Sequence, residues 1–284
     1  MSIDCVVLDF DGTFTDVERE AAPFQRVYRQ FLGELLGRDI AAMWEEEEAV
    51  ITGKPSEFGW QFGGKTVAPA TADPYLLSTA VTQRIFDRLG LLPTLAWRTE
   101  ISQALYREAY RHSGSAFRPE AREVLEALVE APARVYVVTN SHPEVVSRKL
   151  DLLAPRGREK VLVIGDAKKF VIDDAAPMDE RFAAVPVTRS VPGLETRPVH
   201  LRRGRYYEAL RGIWTELGSG PERTLVCGDI WELDLALPQE LGTFVHLLER
   251  PTTLDYERQA IAAAGPRGAI STTLREVVAR VREG

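Results

Sequence analysis

Five short apolar runs constrain the fold of this chain more than any other feature: DCVVLDF at 4–10, ARVYVVTN at 133–140, EKVLVIG at 159–165, RTLVCGD at 223–229 and TFVHLL at 243–248. Each is rich in valine or leucine and short, as expected of a strand buried on both faces. Helical patterns separate them. Strands joined by helices and covered on both sides build a parallel sheet between helical layers. The expected fold is therefore α/β, a Rossmann-like three-layer core.

Residues 11–132 separate the first two strands, although a parallel crossover needs only one helix. Phe24, Val27, Tyr28, Phe31, Leu32, Leu35 and Leu36 keep the three–four spacing of a helix. Asp73 and Pro74 read as the cap and first turn of a second helix, which stops near Gly90. Further helices are expected over 99–112 and 118–130. The surplus makes an inserted helical unit at 16–115, leaving 1–15 and 116–284 as the core. Within the insert, SEFGWQFGGKTVAPATADP (56–74) reads as a structured loop, and EEEE (45–48) as a solvated helix face.

Composition narrows the partners. A formal net charge of -7 repels phosphate backbones, so no nucleic-acid partner is expected. No apolar run approaches the roughly 20 residues of a membrane span. The opening MSIDC leads straight into a strand and not into a secretory leader. Cys5 and Cys227 lie in apolar runs, as small buried hydrophobes of a reducing, cytoplasmic setting. Nothing in the sequence sets an oligomeric state.

The chemistry gathers at strand ends, where open parallel sheets bind ligands. Asp9 and Asp11 end the first strand, and Gly12 and Thr13 turn the chain away. Asp229 ends the fourth strand, with Asp234 a short step on. Converging carboxylates repel one another unless a cation holds them, and hard oxygen donors suit Mg²⁺. The second strand ends in Thr139-Asn140-Ser141, and Pro143 opens a helix. Ser141 and Glu144 have capping-box spacing. A hydroxyl beside the amides of a helix start makes an anion site. A dication, an anion site and a carboxylate together describe phosphoryl transfer. In that scheme Asp9 attacks phosphorus, while Asp11 protonates the leaving oxygen and later deprotonates water.

At these residues the chain resembles a known family. DFDGTFTD is similar to the first motif of the haloacid dehalogenase (HAD) superfamily, VYVVTN to its second and GDIWELD to its fourth. The resemblance runs from Asp9 to Asp234, and the insert lies where that family carries a helical cap. It implies Asp9 as nucleophile and Mg²⁺ ligand. Asp11 is implied as acid/base and as a ligand through its backbone carbonyl. Thr139 is implied to bind the phosphoryl group and Asp229 to complete the metal site, with Asp234 in support. An acid at position 11 resembles the phosphatase and phosphomutase branches, because the dehalogenating branch lacks it.

The family's third motif supplies a cation. Lys168, Lys169, Arg202, Arg203 and Arg205 all compete for that role, with Lys169 favoured and Arg203 second. Asn140 and Arg203 are expected to contact substrate. The segment 171–200 is long for its place and suggests a small flap. The expected function is a cytoplasmic Mg²⁺-dependent phosphatase of a small phosphorylated metabolite, its cap closing over the substrate. A phosphomutase and a non-catalytic ligand-binding member are the alternatives.

Several patterns compete for attention. Asp173-Asp174 mimics a paired-acid fourth motif. GWQFGGKT (59–66) matches a phosphate-binding loop, but prolines follow where that loop needs a helix. Gly53-Lys54-Pro55 imitates the lysine motif in the wrong order. Lys65, with Trp60 and Phe62, either helps select substrate or packs the loop. His142 reads as a helix cap, and His112, His200 and His246 show no ligand spacing.

Overall fold

The computed structural model describes residues 2–173 and 179–283. Strand β1 (Cys5–Leu8) is followed by helices α1 (Val17–Leu36) and α2 (Ala41–Gly53), then by strands β2 (Gly59–Phe62) and β3 (Lys65–Pro69). Helices α3 (Pro74–Arg88), α4 (Leu95–Tyr110) and α5 (Ala121–Glu130) lead to β4 (Arg134–Val138), α6 (Pro143–Leu153) and β5 (Val161–Ile164). Next come α7 (Glu180–Ala183), β6 (Thr188–Val191), β7 (Leu194–His200), α8 (Gly204–Leu217) and β8 (Thr224–Gly228). A π-type turn, Trp231–Leu235, runs into α9 (Ala236–Glu240). The chain continues through β9 (Phe244–Leu248), α10 (Asp255–Ala262), β10 (Gly268–Ser271) and α11 (Arg275–Glu283).

Six strands form one parallel sheet in the order β10-β9-β8-β1-β4-β5. The period-two alternation of a strand sorts its residues between two cores. On one face Cys5 and Val7 pack with Tyr136, Val226 and Val245 under Tyr206, Leu210, Ile213 and Trp214 of α8. On the other, Val6 and Leu8 pack with Val135, Val137 and Leu225 under α5, α6 and α11. Burying each such side chain stabilises the fold by about 1.5–3 kcal/mol, which explains why β1 and β8 read as unbroken apolar runs. The expected α/β sandwich is the fold observed.

The chain divides into two compact units, Val17–Ala116 and the described residues on either side of it. In the inserted unit, Phe24, Tyr28 and Leu32 of α1 share a core with Trp44, Val81, Ile85 and Phe86. Asp73 caps α3 by accepting the Leu76 amide at 2.7 Å, with Pro74 in its first turn. Ala116 N–H donates to the Glu20 carboxylate at 3.1 Å and ties the end of the unit to its start. Outside it, Thr15 and Phe117 form an antiparallel bridge at the neck of the insert.

The structure departs from the sequence reading in the loop at 56–74 and in the acidic run at 45–48. The loop at 56–74 contains the hairpin β2–β3; GWQFGGKT spans β2, its turn and the first two residues of β3, with no helix directly after it, in keeping with its rejection as a phosphate-binding loop. Glu47 of the acidic run is buried, with its carboxylate 2.7 Å from Arg84 Nε and 3.3 Å from Arg88 Nη1. The segment expected as a flap contains the hairpin β6–β7. Asp174 of the rival acid pair lies outside the described residues, while Asp173 N–H donates to the Arg202 carbonyl at 2.9 Å. Among the described residues, no helix is long and apolar enough to cross a membrane.

Candidate active site

Three buried strands end together. Leu8 lies in register with Val137 of β4 and Cys227 of β8, so the residues after each emerge at one sheet edge. Asp9 N–H still donates to the Cys227 carbonyl at 2.8 Å, which extends the ladder to the first acid. Gly12 then turns the chain with φ +83°, a conformation that disfavours L side chains. Thr15 Oγ1 accepts the Gly12 amide at 3.0 Å, and Arg118 donates to the Gly12 carbonyl at 2.8 and 3.2 Å. The turn is therefore gripped at both of its backbone polar groups.

One carboxylate oxygen from each of Asp9, Asp229 and Asp234 lies within 4.8 Å of the others, and all three residues are buried. Lys169 Nζ donates to Asp9 Oδ1 and to Asp234 Oδ1, both at 2.8 Å. Burial pushes the Asp9 carboxyl up to about 7, against the pull of Lys169 and with the help of Asp234. Burial also opposes the Lys169 charge, yet Asp234 and Asp9 hold its ammonium above the usual range. Arg250 Nε stands 3.7 Å from Asp229 Oδ2.

This donor set fits a hard divalent cation. Three carboxylates converge at one strand edge, and a buried cluster of like charge is tolerated only with compensating positive charge. The backbone leaves room beside them. A Cβ on Gly12 would collide with the Asp229 carboxylate, and one on Gly228 would collide with Asp234. Asp234 itself is fixed from the backbone, its Oδ2 accepting the Ile230 amide at 3.0 Å across the π-type turn. Such turns recur at functional sites.

The expected site residues fall into four groups. Asp9, Asp229, Asp234 and Lys169 form the buried charge cluster. Thr139 lies at the end of β4, where its hydroxyl accepts the Ser141 amide at 3.1 Å. Asn140 and Arg203 both grip the backbone of Lys169: Asn140 Oδ1 accepts its N–H at 2.7 Å, and Arg203 donates to its carbonyl. Lys168, the neighbouring candidate, is exposed and has φ +46°.

Asp11 points elsewhere. Ser141 Oγ donates to its Oδ2 at 2.5 Å, and Lys149 Nζ lies 3.2 Å from its Oδ1. Ser141 is thus not the cap of α6, whose N-cap position is His142, with no side-chain capping bond. The capping-box spacing is answered instead by a bond to an acid 130 residues away.

Arg203 is fully buried, and burial lowers its pKa to about 10 against the pull of Glu232 and Asp234. Glu232 sits inside the π-type turn, where it receives both terminal nitrogens of Arg197 at 2.6 and 2.9 Å and the Tyr256 hydroxyl at 2.5 Å. Tyr206 lies 5.2 Å under the Lys169 ammonium and donates its hydroxyl to the Asp234 carbonyl at 2.8 Å. Glu257 accepts the Trp231 amide at 3.2 Å and Arg250 at 3.1 Å.

Sequence reading did not find Lys149, Arg118, Glu232 or Arg250. Lys149 alone left a signal, a lysine on the apolar stripe Val146, Lys149, Leu150 of α6. Arg118 and Arg250 act from loops without periodicity.

The family model for haloacid dehalogenase-like hydrolases matches residues 3–242. A comparison with the curated proteins finds no match. Among solved structures, the HAD-hydrolase YfnB of Bacillus subtilis, described as bound to magnesium, is 12% identical with a TM-score of 0.53, over 99% of this chain and 100% of that one. A predicted phosphoglycolate phosphatase of Haemophilus somnus 129pt is 14% identical with a TM-score of 0.56, over 99% of this chain and 98% of that one. A haloacid dehalogenase-like hydrolase of Bacteroides fragilis is 15% identical with a TM-score of 0.54, over 97% and 100%. At these identities the likeness is one of fold.

Proposed function

The chain belongs to the haloacid dehalogenase-like hydrolase family, and from that premise we propose that it is a Mg²⁺-dependent hydrolase of phosphoric monoesters acting through Asp9. The observation that carries this reading is Asp11. A halide departs without a proton, whereas the alkoxide of a phosphoric ester needs one. A second acid two residues after Asp9, partly exposed and held by Ser141 and Lys149, suits the second chemistry.

Asp9 attacks phosphorus through a carboxylate oxygen, and the bond to the leaving oxygen breaks as Asp11 protonates it. The acyl phosphate on Asp9 is then opened at phosphorus by water, whose proton Asp11 takes. Phosphate leaves and both carboxyl groups are restored. Lys169, held by Asn140 and Arg203, balances charge on Asp9 and Asp234. Thr139 and the start of α6 provide hydrogen-bond donors for phosphoryl oxygens. Asp9, Asp229 and Asp234 are the side chains that would hold Mg²⁺, which when bound neutralises developing phosphoryl charge. The substrate class is a small phosphorylated metabolite, and a reducing cytoplasm suits the two buried free thiols, Cys5 and Cys227.

The test measures phosphate release from a panel of phosphomonoesters, with and without Mg²⁺, for the wild type and Asp9→Asn. Metal-dependent release that disappears in the variant is the expected result. Release that survives Asp9→Asn overturns the role of Asp9. An isomerised ester without free phosphate identifies a mutase.

A further inference from the structure

Lys149 is a charged side chain where helix periodicity calls for an apolar one. It projects from α6 on the same stripe as Val146 and Leu150, and its side chain is 7% exposed. An ammonium held that far from water is destabilising unless it is paired. Its paired partner is Asp11, at 3.2 Å, and the ring of Phe10 lies 5.9 Å from its nitrogen. Asp11 itself is 26% exposed, so the lysine stands behind the carboxylate and the carboxylate stands toward solvent.

The two oxygens of Asp11 have different partners. Ser141 donates to Oδ2 and Lys149 to Oδ1. One contact leaves a carboxylate free to turn about it, whereas two contacts on separate oxygens set both side-chain torsions. A proton donor must lie within hydrogen-bond reach of the departing oxygen, and misplacement of a reacting group by about 1 Å costs on the order of 100-fold. From this geometry we propose that Lys149, with Ser141, is a positioning residue that fixes the Asp11 carboxyl for proton transfer. The inference rests on the function proposed above, and it adds a residue outside the motifs that carry the family resemblance.

Positioning of an acid has a signature that packing lacks. It matters most where the leaving oxygen needs a proton most. The experiment compares wild type, Lys149→Met, Lys149→Arg and Asp11→Asn with Mg²⁺ on two esters: p-nitrophenyl phosphate, whose phenolate leaves readily, and glycerol 2-phosphate, whose alkoxide does not. Lys149→Met is expected to lose about tenfold more kcat/KM, which reports the steps through departure of the alcohol, on the alkyl ester than on the aryl ester, and Lys149→Arg to recover part of that difference. In the Asp11→Asn background, Lys149→Met is expected to add no further selective loss on the alkyl ester. Should Lys149→Met fail to fold, Ser141→Ala is expected to show the same split between esters. Equal losses on both esters overturn the proposal.

A second arm needs no turnover. In protein labelled with ¹³C at the aspartate carboxyl carbon, the resonance that vanishes in Asp11→Asn is expected to shift in Lys149→Met. An unmoved resonance overturns the proposal. A wild type that releases phosphate from neither these esters nor the wider panel removes the proposed function, while the resonance still decides whether Lys149 holds Asp11.

Discussion

Arg203 donates a hydrogen bond to the backbone carbonyl of Lys169, a residue 34 positions earlier in the chain. Both side chains are buried and both are cations, so the bond cannot be one of charge attraction between them. It is compensated by acids on either side. Asp9 and Asp234 face Lys169, while Glu232 and Asp234 pull on the charge of Arg203. The β6–β7 hairpin lies between the two residues in sequence, and its Arg197 completes the network through Glu232.

Lys169→Met should abolish most phosphate release, by about 100-fold or more, because it leaves Asp9 and Asp234 facing each other without their shared cation. Breaking a buried ion pair from one side costs about 3–5 kcal/mol, so a lower Tm should accompany it. Arg203→Met should lower kcat/KM by at least about tenfold in the wild-type background and far less in the Lys169→Met background. A double-mutant cycle on kcat/KM checks this. Additive losses would show that Arg203 does not act through Lys169.

Gly12→Ala should damage the acidic cluster more than the fold. The residue has φ +83°, so a β-carbon costs about 1–2 kcal/mol in backbone strain and also meets the Asp229 carboxylate. The expected result is a modest loss in unfolding free energy together with at least about tenfold weaker Mg²⁺ binding, since 1.4 kcal/mol is a factor of ten. Calorimetric titration of Mg²⁺ into both proteins measures it. Unchanged affinity would remove Asp229 from the proposed metal set.

His246 should make stability fall in mild acid. It is buried on β9, with Nε2 2.7 Å from Ser271 Oγ, and Ser271 donates its own proton to the Thr273 carbonyl. The imidazole is therefore the donor at Nε2. Burial, with help from Arg280, lowers its pKa from 6.5 to about 4. The unfolded chain binds the proton first, so this contribution is complete above pH 6.5 and is lost as pH falls toward 4. Between pH 7 and pH 5 it removes roughly 2 kcal/mol. Urea unfolding at the two pH values, for wild type and His246→Gln, should show the smaller drop in the variant.

Asp73→Ala should destabilise α3 by about 1 kcal/mol through loss of its bond to the Leu76 amide, and Asp73→Asn should retain most of it. Hydrogen exchange over 74–88 reads the effect where it arises. Uniform protection in all three proteins would contradict the capping role.

Legibility in the sequence followed burial and locality. Strands β1, β4, β8 and β9 were readable because a strand covered on both faces must be apolar throughout, and β5 because its residues Val-Leu-Val-Ile are apolar although it lies at the sheet edge with Leu162 exposed. Strand β10, Gly-Ala-Ile-Ser, is too small in side chain to show that signal. Acids ending buried strands were equally plain, since nothing in packing alone calls for Asp9 or Asp229 there. Glu47 misled because a run of glutamates carries no periodicity, whereas its arginine partners lie on another helix. Ser141 misled for a related reason: two residues of local spacing suggested a cap, and a distant carboxylate claimed the hydroxyl instead.

The bridge between Thr15 and Phe117 has a further consequence. Paired residues on antiparallel strands lie about 5 Å apart, so the hundred-residue insert leaves and re-enters the core through a gap that a short turn can span. All the residues of the charge cluster lie on the core side of that gap. Insertions or deletions within Val17–Ala116 are therefore expected to leave the register of β1 untouched, because loop-closure entropy grows only slowly with length. The chain is in this sense two parts joined through one pair of bridged residues, one free to vary in length and the other fixed by its sheet.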